Sequence, residues 1–408
     1  MKRFKRTILL LSFIAPLFVS GQILTHEDSL AAGLQLRGNR ATAISGYGEV
    51  LYTHDINNKL GVANVRRNVL FIGNRFNEKI AFFSELELED AKVEGGEASG
   101  EISLEQCFIK FDVNRSLYIN AGFFTPRIGL INENHLPTTF NANDRPVVER
   151  ILIPATWREV GVAIYGSPRN LPGFNYSIAL INGLDASGFS LEKGIRGGRG
   201  EGSNVQARQK AITAALLYYF GPWRFQCSSY IGGSVGTDNK SADLLGLSTG
   251  TFGTPVFLNE ANLQFRRKAV HLKFLAVQIN IPNADLLNTA YSNNNVANIS
   301  RGFYTECAYD LLYKKQQGNK QFNIFTRYEF VDMNAKLPSN GIANKYYTQH
   351  HIFAGFNWMP HRGVGVKLDY HYINNGEFNQ QLILNPPPNA LPYYTSNHSV
   401  NLGICYSF

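Results

Sequence analysis

Cysteine is scarce in this chain of 408 residues, and the four present, Cys107, Cys227, Cys307 and Cys405, are isolated from one another. No pair has ligand-like spacing, which argues against a disulfide-built scaffold and against a metal centre; all four are expected as reduced small fillers. Long apolar runs are missing as well. Beyond the first 20 or so residues nothing approaches the roughly 20 consecutive apolar residues that a membrane-spanning helix needs. A charge of one sign is also lacking. Of the formal charge of +8, four units belong to Lys2, Arg3, Lys5 and Arg6, leaving +4 for the remainder, too little to argue for nucleic acid as a partner. Cofactor motifs are absent too. The stretch from Gly194 to Gly200 has the glycine of a phosphate-cradling loop but not its lysine followed by Ser or Thr. His350 and His351 are adjacent, so on a strand they point to opposite faces and cannot share a metal.

What is present in quantity is aromatic residues spread thinly. Tyr and Phe number 20 and 28, yet the mean hydropathy is only −0.17, so apolar residues alternate with polar ones instead of forming blocks. The clearest case is the carboxyl end. Val400, Leu402, Ile404, Tyr406 and Phe408 share one face of a strand, and Asn401, Gly403, Cys405 and Ser407 share the other. A greasy face with no second layer to cover it suits a barrel in lipid. The amino end agrees: its four basic residues precede an apolar run from Ile8 to Val19 and then Ser20 and Gly21, the order of a secretory signal with cleavage expected after Gly21. The expected division is residues 1–21 as signal peptide, 22–43 as a short periplasmic segment and 44–408 as barrel.

Similar alternation recurs about 16 times. Outward rows include Ile80, Phe82, Leu86 and Leu88; Leu117, Ile119, Ala121 and Phe123; and Val364, Val366, Leu368, Tyr370 and Tyr372. Short connections, such as Gly221 and Pro222 or Pro360 to Gly363, alternate with long polar ones, among them Thr53 to Ala63, Arg127 to Trp157 and Asn374 to Asn397. This asymmetry predicts an all-β fold: a single antiparallel transmembrane barrel of about 16 strands, with short periplasmic turns, long external loops and both termini in the periplasm.

The early Gly46-Tyr47-Gly48-Glu49, the stretch from Ala121 to Arg127, the block from Arg145 to Arg150 ahead of Trp157-Arg158-Glu159-Val160-Gly161, and the terminal Phe408 together resemble the phosphate-selective porin O and P family, in versions typical of Bacteroidota. That resemblance implies a homotrimer, a third external loop folded inward to narrow the pore, and a terminal aromatic read by the barrel-assembly machinery. Here the third long connection is Arg127 to Trp157. It holds Arg127, Glu133, His135, Asp144, Arg145, Glu149 and Arg150, with Arg158 and Glu159 at its return, and enough apolar residues to pin it to a wall. A constriction loop, a subunit-contact loop and a surface loop are all open to it. In the first case these charges would sort solutes by size and sign.

Alternation assigns the lumen wall: Glu85, Glu87 and Glu89 on one row, then Lys110 with Asp112, Arg224 with Gln226, Glu260 with Arg266, Glu306 with Asp310, Arg327 with Glu329, and Lys367 with Asp369. Acids and bases nearly balance, which fits a hydrated wall of cross-strand pairs better than a dedicated track for phosphate. The expectation is therefore a passive porin for small hydrophilic solutes or ions, with no cofactor, no reaction, and lipid and the assembly machinery as partners. Two alternatives stay open. One is a non-conducting structural or secretion-associated barrel; the other is a lipid hydrolase, which needs a Ser, a His and an acid or amide together at the lipid-facing rim.

Overall fold

The computed structural model describes residues 41–90, 101–202, 208–235, 244, 246–248, 250–291, 295–315, 320–382 and 393–408. The expected signal segment, 1–21, and nearly all of 22–43 lie outside them. The first eight strands are β1 (Ala41–Asp55), β2 (Leu60–Asn77), β3 (Ile80–Glu89), β4 (Glu101–Asn114), β5 (Leu117–Phe124), β6 (Glu159–Gly166), β7 (Phe174–Asn182) and β8 (Lys210–Phe220). The second eight are β9 (Trp223–Gly232), β10 (Val256–Arg267), β11 (Val270–Asn280), β12 (Ile299–Asp310), β13 (Gln321–Lys336), β14 (Thr348–His361), β15 (Val364–Asn375) and β16 (Ser396–Ser407). Each pairs antiparallel with its sequence neighbours, and β1 pairs with β16 to close a barrel of sixteen strands. Closure leaves no strand edge, so every backbone group of the wall has a partner without water, as a hydrocarbon surrounding requires.

Inside and outside follow from the pleat. Val160, Val162, Ile178, Leu180, Leu402 and Ile404 point outward and stay exposed, while Tyr47, Glu85, Arg327, Lys367 and Asp369 point inward and are buried. Cys227 and Cys307 face outward and Cys405 inward, all unpaired. Connections alternate as expected, with one correction. The segment Thr53 to Ala63 is no long loop, because β1 runs to Asp55 and β2 starts at Leu60, so only residues 56–59 turn.

Among the places where the wall departs from strict alternation, two turn an extra charge inward. Bulges interrupt the register between Glu49 and Val50 on β1 and between Glu85 and Leu86 on β3. Each leaves one residue of the facing strand without an opposite number, Arg66 on β2 and Glu105 on β4. Arg66 and Arg67 therefore both reach inward, as do Glu105 and Gln106.

The seam rests on the last residue. Phe408 N–H donates to Gly46 O at 2.9 Å and Gly46 N–H returns to Phe408 O at 3.1 Å, while the Phe408 ring lies over Gly46, which has no side chain to displace it. Deleting Phe408 removes both bonds and the ring from the closing pair. The heat-modifiable band on semi-native gels should drop severely in the deletion and stay at parental level in Cys405→Ser; equal folded amounts in the two would count against this role for the seam.

Candidate functional site

Residues 125–158 connect β5 to β6 and form the third connection on the loop side, L3, which enters the lumen instead of covering the mouth. Its apolar residues Ile128, Val148, Leu152, Ile153 and Trp157 are fully buried, in one cluster with the inward strand residues Phe71, Phe83, Leu275, Val277 and Phe353. A short helix, α1 (Val147–Ile151), lies against β12 where Gly302 sits: a Cβ there would come within 2.8 Å of Leu152. On β16, Gly403 leaves the space that the Asn143 side chain fills.

Apolar contact explains why L3 goes in, but a loop away from water must also pair its backbone groups. The wall supplies the partners. Lys367 Nζ donates to Pro137 O at 2.6 Å and Ala142 O at 2.9 Å. Arg327 donates to Asp144 O and Gln226 to Gly129 O, each at 3.1 Å. In return Val148 N–H donates to Glu329 at 3.0 Å and Asn143 N–H to Asp369 at 2.7 Å. Glu149 turns back within L3 to accept the Leu130 and Ile131 N–H groups at 2.7 Å, and its other oxygen accepts Tyr304 OH of β12 at 2.7 Å.

Ion pairs complete the attachment. His135 Nε2 lies 3.2 Å from Glu85, which also accepts from Tyr47 OH and Gln106. Asp144 pairs with Arg66 at 2.8 Å. Burial alone would push the Asp144 carboxyl up, and the guanidinium outweighs it and holds the group below the usual range. Glu133 takes Arg127 and Arg224, and Arg158 pairs with Glu105. Glu159 is held by the Trp157 indole and Asn182. On the wall, Glu306 joins Lys273 and Arg327, and Arg67 is shared by Glu49, Glu87 and Glu89. Glu260 accepts from Ser228 and Asn262. Arg266, assigned to the same inward row as Glu260, lies near the turn end of β10 and is exposed.

At the turn end a cavity of about 600 Å³ is lined by Lys79, Lys110, Asp112, Tyr118, Arg127 and Tyr165 among others. Lys110 pairs with Asp112 at 3.4 Å and lies over the Tyr118 ring, which stacks on Tyr165. On the loop side, Arg196 is within electrostatic range of Arg145, Arg150 and Arg199. Arg196 and Arg199 donate to backbone carbonyls of residues 150–156 and so fasten the fourth loop onto L3. The Arg196 guanidinium is pushed down to about 9 by burial and its arginine neighbours, and Arg145 to about 10 by burial and Arg67. Unlike the others, Arg150 is exposed.

The structure also brings together residues that adjacency and alternation did not connect. His351 and His350 do face opposite ways, but His351 Nδ1 meets His371 Nε2 of β15 at 3.1 Å, inside the barrel. At the outer rim, Ser396 Oγ lies 3.0 Å from His398 Nε2, and His398 Nδ1 meets the Tyr370 hydroxyl. A serine nucleophile needs its histidine oriented by an acceptor on the far nitrogen, and here a phenol fills that position in place of an acid or amide.

A closed sixteen-stranded barrel with its third loop-side connection inside the lumen has the fold of outer-membrane porin-type barrels. No family model matches the chain. It is 28% identical over 353 residues to an uncharacterized protein of Aquifex aeolicus (strain VF5), covering 83% of this chain and 77% of that one. Among solved structures it is similar to the anion-selective porin from Comamonas acidovorans, with a TM-score of 0.56, 12% identity, and 90% and 100% of the two chains covered. It is also similar to the trimer form of OmpT, an outer membrane protein of Vibrio cholerae, with a TM-score of 0.53, 9% identity, and 91% and 100% covered.

Proposed function

We propose that the chain is an outer-membrane porin: an exported protein, cleaved after residue 21, with both termini periplasmic, assembled as a homotrimer and passing small hydrophilic solutes. The observation that carries this reading is a closed barrel with L3 drawn across its lumen, between a polar cavity on the turn side and an arginine cluster on the loop side. Solutes arriving from outside would meet Arg145, Arg150, Arg196 and Arg199 first. A cluster of like charge raises the local concentration of the opposite ion, so this supports a preference for anions. Inorganic phosphate is the first to try, in line with the family resemblance. The assembly machinery would engage the strand that ends at Phe408, and no cofactor or reaction is involved.

A second reading, a barrel that does not conduct, draws on a different observation. Four of the wall charges expected to line a hydrated lumen, Arg327, Glu329, Lys367 and Asp369, are bonded to the L3 backbone and buried, Arg327 and Glu329 completely. Planar-bilayer recording separates the two. The porin reading expects small, discrete conductance steps and a reversal potential on the anion side in a KCl gradient. Neutralising Arg145 and Arg150 together, as Gln, should move that potential toward cations. A purified, folded barrel that yields no steps would favour the second reading.

A further inference from the structure

We infer that the outer face of β9–β11 lies at the symmetry axis of a homo-oligomer, where copies of this chain meet; the inference rests on the homo-oligomeric reading above. One register row crosses this face. Ser229 on β9 is opposite Asn259 on β10, which is opposite Gln278 on β11, which is opposite Arg301 on β12. All four are outward and exposed. The row is polar, while its surroundings on β9 and β10 are apolar on both sides: Ile231 and Phe257 toward the loops, and Cys227 and Ala261, then Phe225 and Leu263, toward the turns.

Depth makes this unusual. Ser229 is six residues along β9 from Trp223 at the turn end. At a rise of about 3.3 Å per residue and a tilt of about 40°, that is roughly 15 Å up an apolar band about 25 Å tall. Polar groups there face hydrocarbon, which cannot hydrogen-bond to them. Ser229 Oγ donates to Asn259 Oδ1 at 2.8 Å, but that leaves the Asn259 amide N–H₂ and the whole Gln278 amide with no side-chain partner among the described residues. Near the closing seam an outward amide is handled differently: Asn68 of β2 accepts the Tyr406 hydroxyl of β16, over Gly48 of the β1 strand between them, at 3.0 Å.

A second copy of the chain supplies what lipid cannot. Every copy inserts with the same orientation, so like residues meet at equal depth around an axis, and an amide carries both donor and acceptor. The neighbouring row is shaped for approach as well. Its members Cys227, Ala261 and Ala276 on β9–β11 are small, so two walls can come close there.

The test uses the full-length protein in its own outer membrane, with a photo-crosslinking phenylalanine analogue at Ala261 and, separately, the double change Ser229→Ala with Asn259→Leu. The expected results are a crosslinked product of the chain with itself from position 261, and loss of the oligomer band on semi-native gels while the double variant keeps its heat-modifiable monomer. An oligomeric parent that gives no self-product from 261 overturns the inference and leaves the oligomer standing, as does a folded double variant that stays oligomeric. A product with a different protein from 261 also overturns it. A parent that runs as a monomer in mild detergent and gives no product removes both the oligomer and this contact.

Discussion

Shortening L3 between Glu133 and Val148 should raise single-channel conductance several-fold while leaving a folded, heat-modifiable barrel. The narrowest section dominates the resistance of a pore, and this stretch is what Lys367, Asp369 and Glu306 hold across the lumen through Pro137, Ala142, Asn143 and Asn141. Once it is gone those wall charges face water instead of a loop backbone, which relieves the cost of burying them. The sixteen-strand ladder does not depend on the loop, since each strand is bonded to its neighbours along the wall. Bilayer recording checks the result. A folded deletion variant with parental conductance and selectivity would mean that L3 is not what limits passage.

The second large effect is expected from a single carboxylate. Glu149→Ala removes the acceptor for the Leu130 and Ile131 N–H groups and for the Tyr304 hydroxyl at one stroke. A buried donor left without a partner costs about 1–3 kcal/mol, so three together amount to several kcal/mol set against the docking of the loop. The loop has other anchors, and the outcome should be repeated release and return instead of permanent displacement. Noisy, enlarged conductance steps are expected, together with protease cleavage within residues 125–158 of an otherwise intact barrel. Tyr304→Phe takes away one bond, about 1 kcal/mol, and should give the same behaviour in weaker form. Burial pushes the Glu149 carboxyl up, toward its neutral form, and the two N–H groups and the hydroxyl oppose that shift. Quiet channels and a protected loop in Glu149→Ala would show that the apolar contacts of Val148, Leu152 and Ile153 hold L3 without it.

Clamping also bears on selectivity. Alternation counts Lys367 and Arg327 as lumen charges, and so they are, yet in the folded barrel they act first as donors to L3 carbonyls. A charge committed to a loop backbone is a weaker guide to which ions pass than one facing water. That is why the selectivity test is aimed at Arg145 and Arg150 and not at the wall.

What the sequence determined by itself is whatever depends on neighbours along the chain. A side-chain period of two assigns each residue of a strand to lipid or lumen, turn residues mark where strands end, and long gaps mark the loops, so the sixteen strands and the outward rows could be read before any coordinates. Even the entry of L3 into the lumen had a local sign, in apolar residues that a surface loop does not need. Only the tertiary structure decided which residues meet. The bulges opposite Arg66 and Glu105 add one residue to one strand and so turn an extra charge inward, an event set by cross-strand register and invisible to a period of two. The same holds for His351 beside His371, Tyr370 beside His398, and the polar row from Ser229 to Arg301, whose members lie on different strands and are adjacent only because antiparallel pairing slides the strands into one particular register.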